Sequence, residues 1–169
     1  MNVSTKDRVS ELIRDLEESA HTRTQNFESL AHANGKKITT YCALGAIGCV
    51  KRMIYFDEMA DNMVHEPEYD SIVNVYGISD RLIRPVPITY IDNDDDELMC
   101  TINSSLTNII TTLNDEAHYS FDQIGSFLRM LNNLGVFQKC TSKQRIKAKK
   151  LQLEEDIGIP LITNTNIHA

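Results

Sequence analysis

This chain of 169 residues has no tryptophan, only seven glycines and four prolines, and four cysteines. So little glycine and proline excludes collagen-like and low-complexity chains. No apolar run approaches the roughly 18 residues of a membrane-spanning helix, so no membrane association is expected. None of Cys42, Cys49, Cys100 and Cys140 stands in a Cys-x-x-Cys pair. His21, His32, His65, His118 and His168 supply no closely spaced partner either, so no metal site is expected. The segment Met1–Glu18 is charged throughout, unlike a secretory signal, and a cytoplasmic setting with free thiols is the expectation.

What is present is the composition of one soluble folded domain, with 41% hydrophobic and 24% charged residues. The formal charge is −7, which disfavours duplex DNA as a partner, since phosphate contacts need a basic face. The charge is unevenly spread. Residues 1–122 hold 10 basic and 21 acidic residues, whereas residues 123–153 hold seven basic residues and no acidic one. A basic end on an acidic body can dock on that body, on a second copy, or on an acidic partner.

Apolar periodicity predicts an all-α or mainly α fold, a single compact domain of about five to six helices with at most a minor β hairpin. Val9, Leu12, Ile13, Leu16 and Ala20 share one helical face behind a Ser4/Asp7 cap. Asn34-Gly35 marks a turn in the polar stretch 21–38, as a hairpin or an irregular loop. Helices are expected from about Tyr41 to Met63, weakly over 68–83, over Leu98–Leu113, and over about 142–155. Ile88–Ile91 reads as a short strand or a loop anchor. Ser120 and Gln123 form a capping box for a helix whose apolar face is Phe121, Ile124, Phe127, Leu128, Leu131 and Leu134, with Gly135 as a left-handed stop. Residues 1–137 form the expected helical core, and 138–169 a basic helix with an extended tail. Within the core, the glycine-and-cysteine segment is expected to pack against the capped Phe/Leu helix.

Three features carry chemistry. Cys42 near a helix start, with His118 and Asn114 or Asp115, has the residue types of a thiol nucleophile, a base and an orienting group. The plainer reading is that Cys42 packs in the core and that Asn114 and Asp115 fix a turn. Gly45 and Gly48, two glycines within four residues, imply a close approach to that backbone, either by a packed element or by a ligand; each costs up to ~1 kcal/mol in a helix interior. The run Asp92, Asp94, Asp96 begins like a calcium loop, but Glu97 stands where glycine is needed and Asn103 where the closing Glu is needed, so no metal is expected there. Lys143, Arg145, Lys147 and Lys150 form a basic face suited to an acidic partner, without aromatics for base stacking between residues 138 and 169.

Two stretches together, Tyr41-Cys42-Ala43-Leu44-Gly45-Ala46 and Leu113-Asn114-Asp115 with Phe121-Asp122-Gln123-Ile124, resemble an uncharacterised family of small phage and prophage proteins. The likeness spans about residues 8–134, with Leu113 where that family usually has Trp. It implies a virus-encoded accessory protein and no particular reaction or cofactor. The leading expectation is therefore a non-catalytic phage protein that binds a host protein, a defence component or a signalling nucleotide, and that could form homo-oligomers. The alternative is a cysteine-dependent hydrolase or transferase using Cys42, His118 and Asn114 or Asp115. A third reading places a nucleotide against Gly45, Gly48 and the Asn114-Asp115 corner.

Overall fold

A computed structural model describes residues 3–65, 72–78, 86–91, 97–102, 105–137 and 159–162. Helix α1 runs Thr5–Thr22. Asp7 N donates to the Ser4 hydroxyl at 3.1 Å, and that hydroxyl donates to Asp7 Oδ2 at 2.8 Å. The stripe of Val9, Leu12, Ile13 and Leu16 is buried, as its spacing requires, and Ala20 packs at its margin. Helix α4, Phe121–Asn133, opens with the complete Ser120/Gln123 capping box and stops at Gly135, whose φ is 76°.

The all-α expectation is overturned. Among the described residues, eight short strands form three sheets beside the helices, so the fold is mixed α and β. Strands β1 (Thr24–Gln25), β2 (Ala31–Asn34) and β3 (Lys37–Tyr41) make the first sheet, in the order β1-β3-β2. Asn34-Gly35 turns the β2–β3 hairpin, with Gly35 at a φ of 66° that glycine adopts without strain. Helix α2 covers only Ala43–Val50. The chain then breaks at Arg52, whose φ is 58°, and forms the antiparallel hairpin of β4 (Ile54–Asp57) and β5 (Asn62–His65). The single helix expected from Tyr41 to Met63 is thus a strand end, a short helix and a hairpin. Ile54-Tyr55-Phe56 carries β-favouring side chains that the apolar spacing alone conceals.

The third sheet pairs β6 (Val86–Ile91) antiparallel with β7 (Glu97–Ile102) and parallel with β8 (Ile159–Ile162). The stretch Leu98–Leu113, expected as one helix, is therefore strand β7 followed by helix α3, Leu106–Thr111. The Ser105 hydroxyl accepts from Asn108 N at 3.0 Å, so the helix starts at its own cap rather than at Leu98. A short 3-10 turn, Val73–Tyr76, is the described part of the weak helix expected over 68–83. The acidic run 92–96 and the expected helix 142–155 lie outside the described residues.

Helix α1 is the shared rod of the core, making extensive contact with both α4 and α2. The two segments expected to lean on each other are thus joined mainly through α1. Near its middle α1 is tied to the 3-10 turn and to the end of α2. Tyr76 Oη donates to Asp15 Oδ2 at 2.6 Å, Lys51 Nζ lies 2.5 Å from Glu11 Oε1, and the same ammonium lies 4.6 Å from the Tyr76 ring centroid.

Candidate functional site

The segment with the most chemistry-bearing residues is the start of α2, where β3 hands over to the helix. The first N–H groups of any helix lack intrahelical acceptors. Here they are supplied by side chains. Ala43 N donates to Asn114 Oδ1 at 3.0 Å, and Gly45 N donates to Cys42 Sγ at 3.4 Å. Cys42 is therefore the cap of α2 and not a residue in its first turn.

Asn114 lies in a single π-helical turn, Thr112–Glu116, that continues α3. Its side chain is almost wholly buried and fully used. The oxygen accepts from Ala43 N and from Gln25 Nε2 at 2.8 Å; the nitrogen donates to Asn26 O at 3.1 Å and to Asp115 Oδ1 at 2.7 Å. Gln25 Nε2 also donates to Tyr119 O at 2.7 Å. One amide thus joins β1, the following loop, the start of α2 and the turn after α3. The expectation that Asn114 fixes its own turn through nearby backbone differs from what is seen: the backbone groups it bonds lie 71 and 88 residues away in sequence. Gln25, Asn26 and Tyr119 belong to this network without any local sequence signal to mark them.

The glycines of α2 are packed against protein. A Cβ at Gly45 would lie 1.6 Å from Leu30 O, and one at Gly48 would lie 2.8 Å from Ile54 Cδ1. The Leu30 carbonyl also accepts from Cys42 N at 3.2 Å. The close approach that these glycines imply is thus made by a loop carbonyl and a strand side chain. The neighbours expected to pack against these glycines are therefore Leu30 and Ile54.

Cys42 and His118 have opposite surroundings. Cys42 is buried, and its thiol is pushed up to about 11 by that burial; backbone N–H groups at Gly45 and Leu44 act to lower it, and the Asp115 carboxylate acts to raise it. His118 is exposed, with a φ of 55°, and its ring centroid stands 4.8 Å from that of Phe27. A thiol held protonated at neutral pH, serving as a helix cap, lacks the thiolate on which nucleophilic attack depends. Lys143, Arg145, Lys147 and Lys150 lie outside the described residues.

Among the described residues, no group of three or more His, Cys, Asp or Glu side chains is placed to hold a metal ion, and no helix is long and apolar enough to cross a membrane. Compared with models of protein families, with curated proteins and with solved structures, the chain finds no match in any of the three.

Proposed function

We propose that this chain is a non-catalytic binding protein of the phage accessory kind, which takes an acidic host protein through its basic segment in the host cytoplasm. The observation that carries this reading is the Cys42–Asn114–Asp115 arrangement. The polar groups with the strongest claim to chemistry are bonded to backbone and to one another, holding α2 in place. The remaining chemical asymmetry of the chain is its charge. Seven basic residues without an acidic one follow a body that carries −11 over residues 1–122. Such a segment draws an acidic surface by long-range attraction and releases it as salt rises. The phage assignment rests on the resemblance of the Tyr41–Ala46 and Leu113–Ile124 stretches.

Deleting residues 139–169 is a poor test, because it would also remove β8 from the third sheet. Reversing charge in place avoids that. Full-length chain and the triple variant Lys143→Glu, Lys147→Glu, Lys150→Glu are used to purify partners from expressing host cells at low and high salt. The proposal expects a defined partner with the native chain at low salt, its loss at high salt, and its loss in the variant at unchanged melting temperature. The same partners recovered with both chains would refute it.

A further inference from the structure

The geometry points to a second, separate site: a groove for a phosphomonoester where the C-terminal ends of α1 and α2 meet the end of β3. The groove, largely open to solvent, has a volume of about 520 Å³ and is lined in part by Glu18, Thr22, Arg23, Tyr41, Cys49 and Arg52. That volume suits a small organic molecule better than a bare ion. Its two guanidinium groups come from different elements, Arg23 at the end of α1 and Arg52 beyond the end of α2. Among the described residues, neither has a carboxylate within ion-pair distance.

Arg23 is the less satisfied of the two. It is half-buried, with Nη1 donating at 3.3 Å to the hydroxyls of Ser19 and Thr22, and with its carbon 5.6 Å from the Tyr41 ring centroid. Its Nε, shielded from solvent, has no acceptor among the described residues, so a ligand in the groove would meet the terminal nitrogens of the guanidinium. Arg52 is exposed and occupies the left-handed region, where glycine or asparagine would cost less.

A competing role for both arginines is to offset the negative ends of two helices. The caps argue that this role does not consume them. Arg23 N, Lys51 N, Arg52 N and Met53 N already satisfy the carbonyls of Ser19, Ile47, Cys49 and Gly48. The guanidinium of Arg23 donates to hydroxyls and to no helix carbonyl. Two full positive charges then face a partial charge at each helix end and the carboxylate of Glu18. The balance is only modestly positive, so affinity should be modest and sensitive to Glu18.

Phosphate fits better than carboxylate. A carboxylate has two coplanar oxygens and satisfies one guanidinium fork, whereas a phosphate has three free oxygens spread in space for forks arriving from two elements. Because Arg23 already covers the Tyr41 ring, stacking of a nucleobase is not the source of affinity here.

The test is calorimetric titration of the full chain at constant ionic strength with ribose 5-phosphate, inorganic phosphate and acetate. Saturable binding of the phosphomonoester is expected with a Kd of about 1 mM or below. Arg52→Ala, at an exposed position, and Arg23→Lys should each weaken it by at least about fivefold, and Glu18→Gln should tighten it by a similar factor. Reversing Lys143, Lys147 and Lys150 should leave it unchanged, which keeps this outcome separate from the host-partner proposal. No saturable binding, acetate binding as tightly as phosphate, or binding indifferent to Arg52→Ala at unchanged melting temperature would each overturn the assignment.

Discussion

Asn114 Oδ1 lies 3.0 Å from the backbone nitrogen of Ala43, and this bond joins the turn after α3 to the first free N–H of α2. The same amide closes three further bonds, to Gln25, Asn26 and Asp115. A buried amide with every donor and acceptor used stabilises one arrangement of elements; a partly used one is costly.

Replacing Asn114 with alanine therefore leaves Ala43 N–H, one Gln25 hydrogen and the Asn26 carbonyl without their partner. The expected loss is about 3 kcal/mol or more, read as a lower urea midpoint with an unchanged slope. Asn114→Asp retains an acceptor but sets a second carboxylate against Asp115, and it should also destabilise. A variant as stable as the parent would show that the network is dispensable.

The two glycines of α2 should respond differently to the same change. Gly45→Ala drives a Cβ into the Leu30 carbonyl, which is backbone and cannot swing away, so loss of several kcal/mol or failure to fold is expected. Gly48→Ala meets side chains and not backbone, Ile54 at 2.8 Å and Ile72 at 3.6 Å, and the gain of up to ~1 kcal/mol in helix propensity offsets part of that strain. Its stability should lie within about 1 kcal/mol of the parent. Thermal melts of both variants decide the point, and equal destabilisation would contradict the packing described.

Stability should fall at alkaline pH. Burial raises the Cys42 thiol from its ordinary value of 9.0 to about 11. Between those values the folded chain keeps a proton that the unfolded chain releases. The stabilisation is complete below about pH 9 and is lost as pH rises towards 11. For a thiol this buried the loss is on the order of 2–3 kcal/mol. Cys49 shifts in the same direction by burial, and Tyr76 does so by burial and by donating its hydroxyl to Asp15. Urea midpoints across pH 7 to 11 should fall, with a shallower fall in Cys42→Ala. A flat profile in the parent would place that thiol in water.

The helices with complete local signals were the ones readable from sequence. The caps of α1 and α4 and their apolar stripes are contiguous in the chain, and both elements have the expected start and face, except that Leu134, at the C-cap of α4, is exposed. The errors came where apolar spacing ran across an element boundary. From Tyr41 to Met63 the run continues through Arg52, yet that residue sits in a left-handed turn and β4 follows. From Leu98 to Leu113 the periodicity hides the Ser105 cap that separates β7 from α3. The candidate site was half readable. The residue types at Cys42, Asn114 and Asp115 mark the place, where Asn114 bonds both Ala43 N and Asp115. Their role depends on Gln25, Asn26 and Leu30, which are contributed from far along the chain, and on burial, which no local pattern encodes.

The central claim is that Cys42 is a protonated helix cap and not a nucleophile. Its most direct test is the rate of iodoacetamide labelling at Cys42, followed by peptide mass spectrometry from pH 6 to 11 in the native and urea-unfolded chain. The account predicts negligible native labelling near neutral pH, a rise only towards pH 11, and ordinary thiol reactivity once unfolded. Native labelling faster than unfolded labelling, with a midpoint below 9, would contradict it and restore Cys42 as a reactive centre.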